Sequence, residues 1–409
     1  MTFPAAFLEL PKLISTKVSA ILFAVLAGMT GLTLTTTASH AEVVFNCPAQ
    51  GVSQVQSRVE SYFSELGISA SSYEKSISDS KVTYQLTTPE YDTTTLYLKY
   101  RPEFGIKEET VQLPGAQGKL HKVTTVSRKE IVLALLQHGR TTTLQGKECD
   151  VQALADHVGI RQNTVAWAED LEWGWPDGGS ASWNKKYWNR GTLVEGASLT
   201  EAMTDIFVNR SKYGIGCYTA TKFIMIQGVL DYYHRVTKDK AMEELVTSRL
   251  MADKEALVDI EPGLMWKFEE DFDPAELTRP GKILSIQHGV APGNFVPGDW
   301  SYFLNTDPVS YAKTGYEGSN AVYLGRNSFN DHYNDNDHHY TYHEKLGMVY
   351  QWRNGVFSRS RDYAKITPLT GTDFNALERT PGEGGLLFDF RVSPYFFGYQ
   401  ELPVLSTDN

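Results

Sequence analysis

One short segment carries the residue types that covalent chemistry needs. In Tyr213-Gly214-Ile215-Gly216-Cys217-Tyr218-Thr219-Ala220 a cysteine stands where a Gly-x-Gly approach runs into an apolar, helix-forming stretch. At a helix start, backbone N–H groups without intrahelical partners and the helix dipole favour a thiolate over a thiol. The same N–H groups receive an oxyanion when the sulfur attacks an acyl carbon. The competing reading is an inert buried thiol, the usual state of a cysteine in an apolar run. A nucleophile of this kind also requires a base brought back to the sulfur by another element. Downstream histidines are His332, His338, His339 and His343. His338 and His339 also read, with Asp335 and Asp337, as a metal cluster, although no ligand spacing there is diagnostic.

The elements that position these groups follow from periodicity. A helix is predicted from about Gly216 to Arg235, apolar over much of its surface through Phe223, Ile224, Met225, Ile226, Val229 and Leu230, and therefore largely buried. Short strands between Gly, Pro, Asn and Asp clusters are predicted at Asp299 to Leu304, Asn320 to Leu324 and Tyr340 to Leu346. A hairpin from Met348 to Ser358 is expected to turn at Asn354-Gly355. The Asn/Asp-rich stretch from Asn327 to Asp337 reads as an exposed loop. A buried helix followed by an antiparallel sheet is an α+β plan. Upstream, Val52 to Leu66 and Arg128 to His138 have helical spacing, while Lys81 to Thr87, Thr94 to Tyr100 and Lys119 to Thr125 read as strands. Trp167, Trp173, Trp175, Trp183, Tyr187 and Trp188 form either an irregular satellite core or a substrate platform.

From Tyr187-Trp188 through the predicted helix, the chain resembles the segment leading into the nucleophile of the bacterial spore-coat-type protein-glutamine γ-glutamyltransferases. The matching positions are Gly191, Ser198, Ala202, Asp205-Ile206, Asn209, Tyr213, Cys217 and Thr219-Ala220. Two further blocks are similar to that family in order and approximate spacing: Gly298-Asp299-Trp300-Ser301-Tyr302-Phe303-Leu304-Asn305 and Gly318-Ser319-Asn320-Ala321-Val322-Tyr323-Leu324-Gly325. The Pro297-Gly298-Asp299 turn before an aromatic strand also resembles papain-like peptidoglycan hydrolases of the NlpC type. The resemblance covers about residues 185 to 360 and implies a papain-like (NlpC-type) catalytic domain with Cys217 as nucleophile.

It further implies a histidine on the strand after the Gly318 block. His343, within Tyr340 to Met348, is the residue to which it points, while His332 preserves the family's distance from Gly325. Two family glutamates are replaced here, one by Ser319 and one by Gly216. The third catalytic group is then Glu317, two residues from Ser319 and on its face if the segment is extended. Asp299, Asn320 and Ser319 are the alternatives, and Asp299 reads equally well as a turn-capping carboxylate.

The implied reaction is acyl transfer. Cys217 forms a thioester with a glutamine side chain, ammonia leaves, and the acyl group passes to a lysine amine or to water, with no cofactor. The partners are a glutamine-bearing protein or peptide and an amine donor such as lysine. One rival is an NlpC-type cell-wall peptide hydrolase using the same thiol. Another is a non-enzymatic secreted binding protein that presents the tryptophan-rich segment.

Bulk properties bound these readings. A net charge of −11 argues against a nucleic-acid partner, and 41% apolar with 21% charged residues is the balance of a globular chain. Lys12 and Lys17 precede an apolar run, Val18 to Leu34, which ends in Ala38-Ser39-His40-Ala41. This is the layout of a secretory leader cut after Ala41, the alternative being an uncleaved anchor. The expected organisation is leader 1–41, a small α+β unit 42–156 of unassigned role, and an acyltransferase unit 157–409. The mature chain is expected to be secreted or periplasmic, without stable membrane insertion. Of three cysteines, any two could join in an oxidising compartment, and a Cys47–Cys149 bridge is the pairing that leaves Cys217 alone.

Overall fold

The computed structural model describes residues 42–87, 94–137, 141–145, 149–174, 181–251, 284–334, 339–357 and 362–394. The expected leader, the turn at Pro176 to Gly179, Trp175, Asp335, Asp337 and His338 lie outside them.

The strands of the first part are β1 (Glu42–Asn46), β2 (Tyr73–Ser78), β3 (Lys81–Leu86), β4 (Glu109–Pro114), β5 (Leu120–Thr125) and β6 (Thr141–Gln145). Four of them form a sheet in the order β2-β3-β1-β6, with β1 antiparallel to β3 and parallel to β6. Helix Val52–Glu65 packs Val52, Val55, Val59 and Phe63 inward, which is the spacing that predicts it. Thr94 to Tyr100 is not the strand expected from its Thr and Tyr content. It holds only a short 3-10 turn, Leu98–Tyr100, because the Thr95 hydroxyl and N–H bind the Gly293 carbonyl instead of a neighbouring strand. Cys47 and Cys149 form a disulfide, with Cα atoms 5.4 Å apart, that ties the end of β1 to the start of the long helix Val151–Asp170.

That long helix is buried along most of its length and lies against helix Cys217–Asp231. The contact is close: a Cβ at Gly228 would run into the Thr164 side chain and backbone. Asp231 locks the pair, its carboxylate accepting from Trp167 Nε1 at 2.9 Å and Asn163 Nδ2 at 3.0 Å while pairing with Arg235. After the two-residue strands β7 (Trp188–Asn189) and β8 (Thr192–Leu193) come β9 (Leu284–Gln287), β10 (Trp300–Leu304), β11 (Gly318–Gly325), β12 (Ser328–Asn330), β13 (His339–Tyr340) and β14 (Arg391–Pro394).

These last six strands form one antiparallel sheet in the order β13-β12-β11-β10-β14-β9. All eight residues of β11 are buried, because both of its faces are covered. Val322 and Leu324 join the core that contains helix Cys217–Asp231. Ala321 and Tyr323 join a second cluster with Tyr342, Leu346 and Val349 of helix Tyr342–Gln351.

Helix Tyr342–Gln351 corrects two expectations. Tyr340 to Leu346 is not a strand beyond Tyr340, because Thr341 and Glu344 form a reciprocal capping box that starts a helix. Asn354-Gly355 does not turn a hairpin. Gly355, at φ 71°, ends the 3-10 turn Trp352–Asn354 that extends this helix. The stretch from Asn327 is also not an exposed loop: Phe329 and Asn330 belong to β12, and Phe329, Asn330 and His332 have no exposed surface. The overall architecture is mixed α and β, and no helix among the described residues is long and apolar enough to cross a membrane.

Candidate active site

Cys217 is the first residue of its helix, with Gly216 as the N-cap in an extended conformation. It is the free cysteine and is partly exposed. The approach to it is held on both sides. Ser182 and Gly214 exchange backbone hydrogen bonds of 2.9 and 3.1 Å, and the Tyr333 hydroxyl donates to the Ile215 carbonyl at 2.8 Å. Behind it, Asp205 accepts from Asn184 and from the Tyr213 hydroxyl, each at 2.6 Å. Ser198 N-caps helix Leu199–Val208, which carries Asp205, and the Ala202 carbonyl accepts from Trp188 Nε1 at 3.3 Å. The string from Trp188 to Tyr213 is thus the frame that aims the helix start.

The strand face opposite the helix supplies the thiol's polar neighbour. Asn320 Nδ2 donates to Cys217 Sγ at 3.3 Å, and the sulfur lies 4.0 Å from the Gly318 carbonyl oxygen. Trp300, on the adjacent strand, donates its indole N–H to Asn320 Oδ1 at 2.9 Å. An indole nitrogen only donates, so the amide oxygen faces Trp300 and the amide hydrogens face sulfur. The Trp300 ring is fixed in turn against Tyr218, the residue after the thiol, at a centroid distance of 5.5 Å. Tyr302, opposite Asn320 in register, brings its hydroxyl over Gly318, where any Cβ would collide with it. Burial first, and then the charge of Cys217, holds the Tyr302 phenol well above its ordinary pKa, so it stays protonated.

The thiol opens into a small cavity of about 30 Å³ whose walls include Ser319, Asp331, Tyr333 and Lys345. Sequence reasoning misses Asp331 and Lys345, because the segment around Asp331 has the composition of a solvated loop and the stretch around Lys345 that of a strand. The available signal was Gly325-Arg326-Asn327, a turn between two aromatic strand-like pieces.

The other expected site residues are dispersed. His332 is fully buried with φ 70° and reaches helix Cys217–Asp231 one turn beyond the thiol, with Nε2 2.9 Å from Thr221 Oγ1. Thr221 gives its hydroxyl hydrogen to the Cys217 carbonyl at 2.8 Å, so His332 Nε2 is the donor to it. His343 is not brought to the thiol. It sits on helix Tyr342–Gln351, stacked on Phe374 at 4.4 Å and 3.4 Å from Glu378, within a separate apolar groove of about 380 Å³. Glu317 precedes β11 and turns back to accept the Gly315 N–H at 2.8 Å, and burial raises its pKa. Asp299 is wholly buried, paired with Arg161 at 2.9 Å and accepting the Val296 N–H at 2.7 Å, which is the turn-capping role. His339 pairs with Glu169 at 2.6 Å. No group of three metal-ligating side chains occurs among the described residues. The described tryptophans of the aromatic cluster are core: Trp167, Trp173 and Trp188 are buried, and Trp183 packs against Trp188 and Phe223.

These features define a mixed α/β protein that carries an unpaired thiol at the start of a buried helix, facing a polar strand. Residues 121–338 match the family model described as protein-glutamine gamma-glutamyltransferase, and the chain belongs to that family. It is similar to a protein-glutamine gamma-glutamyltransferase of Bacillus cereus (strain G9842), 30% identical over 155 residues that cover 36% of this chain and 45% of that protein. A counterpart from Bacillus anthracis (strain A0248) is 28% identical over 155 residues with the same coverage. The chain thus spans about 45% of the length of these curated relatives. Among solved structures, a transglutaminase from Geobacillus stearothermophilus (without C-terminal extension) aligns at 19% identity and a TM-score of 0.37, covering 62% of this chain and 95% of that one.

Proposed function

We propose that the protein is a secreted protein-glutamine γ-glutamyltransferase with a papain-like catalytic unit, and that Cys217 is its nucleophile. The observation that carries this reading is the oriented amide of Asn320, 3.3 Å from a free thiol at a helix N-terminus. The amide hydrogens and the N–H groups of the first helical turn stabilise a thiolate and then the oxyanion of a tetrahedral adduct. Attack on a glutamine carboxamide releases ammonia and leaves a thioester on Cys217. A lysine amine then takes the acyl group to give an isopeptide bond, or water takes it to give glutamate. Neither His343 nor Glu317 takes part in this scheme. His332 acts at a distance, bracing the first turn of the helix through Thr221.

The division into leader 1–41, an N-terminal unit 42–156 and an acyltransferase unit 157–409 is kept as part of the proposal. The Cys47–Cys149 disulfide supports an oxidising compartment. The decisive experiment is incorporation of a labelled primary amine into a glutamine-containing protein, with ammonia release followed in parallel. Wild type should do both, and Cys217→Ala should do neither while keeping its thermal transition. Amine incorporation that survives Cys217→Ala would remove the reading.

A further inference from the structure

Resting on that reading, we propose that Asp331 is the proton-transfer group of the reaction, taking the place of the family glutamate whose position is Ser319 here. Acyl transfer from a carboxamide requires a group that removes the thiol proton and later delivers one to the departing nitrogen. Within the cavity beside Cys217, the carboxylate on the walls is that of Asp331, which enters from the residue after β12, and Ser319 edges the same space. Cys217, Ser319 and Asp331 all line this one space of about 30 Å³, which holds them around a common opening.

Three further observations fit the role. Asp331 is 8% exposed, and its Oδ1 accepts the Tyr333 N–H at 3.2 Å, which fixes the carboxyl group relative to the backbone. The same Tyr333 donates to the Ile215 carbonyl, two residues before the thiol, so carboxylate and nucleophile share one brace. The side chain of Lys345 is fully buried, also walls the cavity, and places its Nζ 4.9 Å from the Tyr340 ring centroid, so the wall beside Asp331 is closed to bulk solvent. Ser319 and Asp331 thus stand on two walls of one site: where the family pattern has a carboxylate and this chain has a hydroxyl, a carboxylate arrives from the neighbouring strand.

The proton balance closes. Asp331 accepts the Cys217 proton across the cavity, and the thiolate bonds to the carboxamide carbon. When the tetrahedral adduct collapses, the C–N bond breaks and protonated Asp331 gives its proton to the leaving nitrogen, releasing ammonia. The acceptor amine then loses a proton to Asp331 as it displaces the thiolate, which takes that proton back.

The test is amine incorporation by Asp331→Asn in the full chain, beside Cys217→Ala and the double variant Ser319→Glu/Asp331→Asn. Asp331→Asn should lower kcat by roughly 100-fold or more, with the Cys217 alkylation rate near neutral pH reduced as well. The double variant should recover roughly tenfold of that loss by returning a carboxylate to the family position. Activity of Asp331→Asn within about threefold of wild type, with Cys217→Ala inactive, overturns this inference and leaves the function standing. Activity retained by Cys217→Ala overturns both. Should Asp331→Asn lose its thermal transition, Asp331→Glu decides: it should stay active with a displaced acidic limb in its kcat/KM pH profile, and an unmoved limb overturns the proposal.

Discussion

Trp300 can only donate through its indole nitrogen, and that restriction is passed on through Asn320 to the sulfur of Cys217. The two residues therefore separate orientation from contact. Asn320→Ala removes the donor itself, and kcat should fall by roughly 100-fold, the usual cost of one oxyanion donor. Trp300→Phe keeps the ring against Tyr218 but frees the amide to rotate. It should give a smaller loss, confined to kcat, in steady-state kinetics on a glutamine peptide. Asn320→Asp puts a like charge beside the thiolate, so the midpoint of the pH dependence of Cys217 alkylation should move upward. An alkylation profile unchanged from wild type would show that this side chain does not face the reacting sulfur.

At the scale of elements, the site depends on how closely the two central helices approach. Gly228 has no room for a Cβ against Thr164, and backbone is among the obstructing atoms, so the helices cannot simply repack. Gly228→Ala is expected to destabilise by roughly 1–3 kcal/mol, read as a lower thermal midpoint. Amine incorporation should fall with it, because the same displacement shifts the helix start. The capping box of helix Tyr342–Gln351 offers a milder control. Thr341→Ala should cost about 1 kcal/mol, measured by urea unfolding. The same capping box places His343 on a helix rather than on a strand. Tyr340-Thr341-Tyr342-His343 has strand composition, but Thr341 and Glu344 form a local capping pair that outweighs it.

Across the whole molecule, two features tie the first part of the chain to the rest. The Cys47–Cys149 bridge spans 102 positions in sequence. In the chain-entropy account its loss costs about 4–5 kcal/mol. A reductant should therefore shift the denaturation midpoint of Cys217→Ala, in which no other thiol complicates the reading. The second is Glu130, buried on helix Arg128–Leu135, whose carboxylate accepts the Arg326 N–H at the β11–β12 turn. Burial pushes its pKa up to about 7, against the opposing pull of Arg326. Above the unfolded value of 4.5 the folded state holds the proton more tightly than the unfolded state. This contribution to stability is therefore greatest below about pH 4.5 and declines as pH rises through 7. Glu130→Gln keeps the acceptor without the charge, and should flatten the dependence of Tm on pH across that window.

The amino-acid sequence by itself determined the parts whose causes are local. Helical spacing around Phe223 to Leu230, the glycine approach to Cys217, the strand at Trp300 to Leu304 and the parity of three cysteines are all short-range signals. The tertiary structure decided which groups meet. Asn320 and Trp300 face the helix because strand alternation and register put them there, whereas Glu317 lies before the strand begins and His343 points into another groove. The burial of His332 and Asp331 is hidden by composition: Asn and Asp suggest solvent, yet this stretch is buried against the long helix, where Asn330 bonds the Ala168 carbonyl. Burial of polar residues depends on partners far along the chain, and no local pattern records them.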